Sequence, residues 1–254
     1  MMLFVKTTNK GEFIMKKLIA ILLVLVMVLS VAACSKPVEN PDGSTAGTTE
    51  PKSDVMTHEE YMAAAKDAKV VVETYVQATQ SWWDNKITVY CQSKDGAFFA
   101  YEMACSEEDA AKLVPGTKIK ITGTKGEWSG EIEIMDGKFE FVEGGDKYIA
   151  EAFDATALLG TDDLIKHQNE KVAFKGMTVE KIDYKNGEPG DDIYVTLGLN
   201  GKSYNFCVER YLTAPETDLY KAFATLEIGK SVDVEGFLYW YEGANPHITA
   251  ITVK

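Results

Sequence analysis

The chain has 254 residues, 46% of them hydrophobic and 26% charged, with a formal net charge of −13 at pH 7. That is enough apolar material for a folded core of one or two domains. The excess of acids argues against nucleic-acid backbones and anionic lipid surfaces as general partners, because both require clustered Lys and Arg.

The first element in chain order is the run Met15 to Cys34, "MKKLIAILLVLVMVLSVAAC". Lys16 and Lys17 precede a continuous apolar stretch that ends in small residues, the pattern of a secretory signal. The apolar run is short for a membrane span, which needs ~20 residues. The ending "VAAC", Val31 to Cys34, resembles the lipobox of bacterial lipoproteins. That resemblance implies a signal peptide over 15–33, a lipid on Cys34, and residence at the extracytoplasmic face of the cell membrane. Residues 1–14 read as an upstream extension of the true start at Met15. Residues 34–54 hold the lipidated Cys and a Pro-, Gly-, Ser- and Thr-rich tether with little to bury, expected to be disordered.

The remainder contains an internal repeat. Thr57 and Glu60 form a capping box for a short helix, and Thr161 occupies the matching place in the second copy, followed by Asp162 and Asp163. A β-rich stretch follows in each copy, then a hairpin. The hairpins turn at Asp95-Gly96 and Asn200-Gly201, dipeptides that supply the positive φ such turns need. Each hairpin leads to a helix, the first capped by Ser106, the second with Pro215 and Glu216 in its opening turn. "GTKIKITG", Gly116 to Gly123, then answers "GKSVDVEG", Gly229 to Gly236. Gly123 and Gly236 are placed to end strands at tight bends. The closing strands are expected within "YIAEAFDATAL" and "HITAITVK", with an additional hairpin at about 131–146 in the first copy.

Three strands, a helix and two strands resembles the element order of the OB-fold, a five-stranded Greek-key barrel. The expectation is a mainly β protein with two tandem OB-fold-like barrels: residues 55–158, carrying the extra hairpin, and residues 159–254. The chain also resembles the tandem OB-type lipoproteins of anaerobic Gram-positive bacteria, a likeness that implies no particular activity.

Motifs for chemistry are sparse. His58, His167 and His247 lie in no metal-binding pattern, and no cysteine pair has zinc spacing. Cys91, Cys105 and Cys207 read as buried apolar residues. Glu188, Asp191 and Asp192 lie in a Gly/Pro loop that lacks EF-hand order, so a solvated acidic loop is favoured over a calcium site. No cofactor, metal or catalytic residue is expected, and the protein reads as a non-enzyme.

Aromatic residues remain. "QSWWDNK" falls in the loop joining strands one and two of the first barrel, and "KGEWSGE" begins its loop between strands four and five. Those two loops flank one face of an OB-fold. Strand alternation sends Trp82 and Trp83 to opposite sides. A ligand face of Trp82, Trp83 and Trp128, with Tyr101 contributed by strand three, is the expectation. Trp240, between Tyr239 and Tyr241, is the second copy's equivalent of Trp128. The reading that follows is a non-catalytic binding module for a polysaccharide, peptide or protein, with a structural role in an envelope complex as the alternative. A hydrolase acting on envelope material and nucleic-acid binding are both disfavoured.

Overall fold

A computed structural model describes residues 54–254. The signal segment, Cys34 and most of the tether lie outside the described residues. Those that are described belong to one compact unit, Pro51–Lys254, built around two barrels.

The first barrel begins with helix α1, His58–Ala63. Its capping box is complete: Thr57 Oγ1 accepts from Glu60 N, and Thr57 N donates to the Glu60 carboxylate. The buried ammonium of Lys125 fixes the helix to the barrel by donating to the carbonyls of Met62 and Ala64, at 2.6 and 2.8 Å. Strand β1, Lys69–Thr79, alternates, burying Val70, Val72, Thr74 and Val76. Strands β2 (Lys86–Gln92) and β3 (Ala97–Ala104) form the expected hairpin. The one-turn helix α2, Glu107–Ala110, is capped by Ser106, whose hydroxyl accepts from Asp109 N. Strands β4 (Lys118–Trp128) and β5 (Glu131–Phe141) complete the set. The barrel closes in the order β1-β2-β3-β5-β4, with β3 and β5 parallel.

The second barrel repeats this plan. Strand β7, Lys171–Tyr184, pairs with β8, Ile193–Leu199, which turns through Asn200 and Gly201 into β9, Lys202–Val208. Both turn residues have positive φ, 51° and 75°, as a two-residue hairpin turn requires. Helix α3, Asp218–Ala224, precedes β10 (Ser231–Phe237) and β11 (His247–Val253). The parallel contact of β9 with β11 and the pairing of β10 with β7 reproduce the closure of the first barrel.

Five expectations need correction. The supposed extra hairpin at about 131–146 supplies the barrel's own fifth strand, β5. The segment expected to close the barrel instead leads away from it, and its two-residue strand β6, Phe153–Asp154, pairs with β7 of the second barrel. Thr161 caps no helix: the second copy opens on 3-10 turns at Thr156–Leu158 and Leu164–His167, and Thr161 Oγ1 donates to Leu158 O. Helix α3 is capped by Thr217, so Pro215 and Glu216 precede it. Gly123 and Gly236 lie inside strands, each at a register shift where the neighbouring strand comes too close for a side chain. Cys91, Cys105 and Cys207 are free and buried, as read from the sequence.

Each barrel has its own core, and a third apolar cluster joins them: Tyr90 and Phe99 from the first barrel with Phe237 from the second. Tyr90 stacks on Phe237 at 4.7 Å between centroids and shares a 2.7 Å hydrogen bond with His247 Nδ1. Backbone groups cross the junction too. Ser81 N donates to Tyr211 O at 2.7 Å, and Glu242 N donates to Ser129 O at 2.8 Å.

Candidate binding groove

The junction leaves a groove of about 970 Å³ open beside the shared cluster. Its first-barrel wall comes from the β1–β2 turn and from β2 and β3. Trp83 and Lys86 face each other across that turn, and Asp84 and Asn85 between them both take positive φ. Trp82 and Trp83 therefore part company. Trp82 is half-buried, packs on the barrel core and donates its indole N–H to Cys105 O at 2.9 Å. Trp83 projects outward and is 79% exposed. Tyr101 joins it from β3.

The opposite wall belongs to the second barrel. Tyr194 comes from β8, Arg210 and Tyr211 from the segment after β9, and Tyr239, Tyr241 and Asn245 from the loop between β10 and β11. Tyr239 is fixed from two sides, edge-on to Phe99 at 5.3 Å and stacked on His247 at 4.3 Å. His247 is buried, and that burial depresses its pKa to about 4, so it is neutral at pH 7.

Among the residues read from the sequence, the groove gathers Trp82, Trp83 and Tyr101. It does not gather Trp128, which stands 60% exposed on the β4–β5 turn, outside the groove lining. The cause is Trp240. Its indole lies against Gly130, where an added Cβ would come within 2.8 Å of the ring, and its backbone N donates to Glu131 Oε2 at 2.8 Å. The β4–β5 turn of the first barrel is thus pressed against the corresponding loop of the second, and its rim is used for packing.

Sequence reasoning missed the second-barrel wall: Tyr194, Arg210, Tyr211 and Lys185. One signal was available, since "ERYL" contains the only arginine in the chain.

Charges in the groove are mostly self-paired. Lys86 bridges Glu102 at 2.8 Å, and this hydrogen bond holds the Glu102 carboxyl below its usual range. Lys185 bridges Asp192 at 2.9 Å. Glu209 is buried, which pushes its pKa up, although it accepts from Tyr211 N and Leu212 N. Among the described residues no group of three or more His, Cys, Asp or Glu is arranged to hold a metal ion.

No protein-family model and no curated protein sequence matches the chain. Solved structures do. The p204 HINb domain is similar at 13% identity and a TM-score of 0.36, over 75% of this chain and all of that one. A murine DNA-binding protein bound with double-stranded DNA is similar at 14% identity and a TM-score of 0.36, over 72% of this chain and 94% of that one. A replication protein A heterotrimer bound to single-stranded DNA is similar at 12% identity and a TM-score of 0.31, over 73% of this chain and 49% of that one. The closed five-stranded barrel is itself OB-like, as the element order implied. Proteins bound to DNA stand among these neighbours, where the sequence reading expected a polysaccharide, peptide or protein ligand and disfavoured nucleic acid; that reading is withdrawn. The physical error lay in letting net charge stand for a local surface. A whole-chain charge of −13 says little about a groove in which Glu102 and Asp192 are paired with lysines and Glu209 is buried.

Proposed function

We propose that the groove between the barrels binds single-stranded nucleic acid by stacking bases on its aromatic walls. The observation that carries this is the convergence of Trp83, Tyr101, Tyr194, Tyr211 and Tyr241 on one cavity, from both barrels, with Arg210 and Asn245 among them. Each ring offers a rigid face, and base–aromatic stacking contributes ~1–3 kcal/mol per base without regard to sequence. Two barrels joined by an apolar cluster and by cross-junction hydrogen bonds hold the rings in place before the ligand arrives, which reduces the entropy cost of binding. The lipoprotein reading of Cys34 belongs to the same proposal: a lipid anchor would present the groove outside the membrane, and [³H]palmitate labelling lost in Cys34→Ala is its test.

The test of the groove is a fluorescence titration of the full chain with single-stranded homopolymers at low salt. Binding should quench tryptophan emission, and Trp83→Ala with Tyr241→Ala should weaken it by about tenfold or more while leaving the circular dichroism spectrum unchanged. Absence of binding, or equal binding by the double variant, would refute the reading.

A further inference from the structure

Resting on that reading, we propose that the groove holds a single nucleotide unit, its phosphate on Arg210 and its base against the neighbouring rings, and does not track the backbone of a long strand.

The charges lead to this conclusion. Three cationic side chains line the groove: Lys86, Lys185 and Arg210. The two lysines are neutralised locally by Glu102 and Asp192, at 2.8 and 2.9 Å. Arg210 has no carboxylate partner among the described residues, and its guanidinium lies over the Tyr211 ring, 4.9 Å from the centroid. Stacking occupies the face of the guanidinium and leaves its edge of N–H donors for an oxyanion, a geometry that suits a phosphate taken bidentately. One unpaired cation matches one phosphate. A strand-tracking groove needs a row of them, and here Asp84, Glu102, Asp192 and Glu209 line the same cavity.

The backbone around Arg210 is held in advance. Arg210 N donates to Asp192 Oδ1 at 3.0 Å. Tyr211 N and Leu212 N donate to the Glu209 carboxylate at 3.0 and 2.8 Å. Tyr211 O accepts from Ser81 N of the first barrel. Two acids that would otherwise repel a phosphate are thereby engaged with Lys185 and with main-chain N–H groups. The cavity, about 970 Å³, lies at the upper end of the range for small-molecule sites, ~300–1,000 Å³.

The experiment compares adenosine, 5′-AMP and a twelve-residue deoxyadenosine oligonucleotide on the full chain, in wild type, Arg210→Gln and Arg210→Lys. In wild type, 5′-AMP should bind about tenfold or more tighter than adenosine, the effect of a charge-assisted hydrogen-bonded pair. The oligonucleotide should gain little beyond 5′-AMP, and its log–log salt slope should be near −0.7, the value for one neutralised phosphate on a single strand. Arg210→Gln should abolish the difference between 5′-AMP and adenosine, and Arg210→Lys should restore part of it. Equal binding of 5′-AMP and adenosine would overturn the assignment of Arg210 while leaving the stacking groove intact. A slope several times steeper with much tighter oligonucleotide binding would overturn the single-unit proposal in favour of strand tracking. Failure of all three ligands to bind would remove this inference and the groove reading together. Should Arg210→Gln not fold, the two wild-type comparisons decide the matter.

Discussion

Trp82 and Trp83 are adjacent in sequence and opposite in consequence. A strand sends neighbours to opposite faces, and here one neighbour meets a core while the other meets solvent. Trp82 packs on the first barrel's apolar cluster and gives its indole N–H to a backbone carbonyl, so truncation leaves a cavity and an unpaired Cys105 O. Trp82→Ala should cost about 2–4 kcal/mol, near the lower part of the range for buried aromatic truncations because the ring is only half-buried. Trp83→Ala should change stability by under ~0.5 kcal/mol, since the ring is 79% exposed. Urea denaturation of the two variants separates these outcomes. Equal losses would mean that Trp83 packs in solution and is no free stacking surface. Sequence reading reached the pair and its turn because alternation and turn chemistry are local. It did not reach Arg210 or Tyr194, which become groove residues only when the two barrels meet, as at the Ser81–Tyr211 contact between residues 130 apart in the chain.

Among the elements, the β10 strand illustrates what pattern could and could not supply. "GKSVDVEG" alternates, and Val232 and Val234 are buried as alternation demands. The same alternation, repeated in "GTKIKITG", exposed the duplication and with it the OB-like order. The glycines that close the two patterns were readable as special positions, but their reason was not. Gly236 sits at the bulge between β10 and β11, where an added Cβ would run into the backbone carbonyl of His247. Gly123 occupies the equivalent bulge, with Met135 O 2.9 Å from where its Cβ would be. Backbone cannot yield as a flexible side chain does, so Gly236→Ala should destabilise by at least ~1–3 kcal/mol, the usual cost of overpacking. The carbonyl it meets is that of His247, so the variant should also disturb the bond to Tyr90. Thermal unfolding would check the first effect, and a wild-type-like melting temperature would show that the bulge relaxes. The misassigned extra hairpin has a similar origin. Glu131 to Phe141 carries acids, a glycine and a lysine between its apolar residues, which reads as an inserted hairpin until Ile134 is seen buried against β3 and β4.

At the scale of the molecule, two buried titratable groups at or beside the junction should make stability depend on pH in opposite senses. Glu131 is fully buried at the contact of the two β4–β5-type loops, and burial pushes its pKa from an ordinary 4.5 up to about 8 despite the N–H of Trp240. The folded state therefore holds a proton, between pH 4.5 and 8, that the unfolded chain has lost. Stability from this group is complete below pH 4.5 and disappears as pH rises through 8. Glu133 on the same strand is raised by burial too and adds to the same slope. His247 behaves inversely: lowered from 6.5 to about 4, it contributes stability above pH 6.5 that is lost as pH falls through 4. Between about 4.5 and 6.5 the two slopes oppose each other, so the fall toward alkaline pH should begin where His247 ceases to compensate. Across pH 6.5 to 8 it should amount to about 2 kcal/mol, at ~1.4 kcal/mol per unit. Glu131→Gln isolates the cause. A glutamine accepts from Trp240 N as the carboxyl does. Its amide also keeps the shape of the protonated carboxyl and carries no charge to desolvate. The variant should match wild type near pH 5 and exceed it at pH 8, its melting temperature rising toward pH 6.5 with His247 and falling beyond that only by what Glu133 contributes. If both proteins lose stability in parallel from pH 6.5 to 8, Glu131 is ionised in the folded state, and the hydrogen bond from Trp240 N outweighs its desolvation.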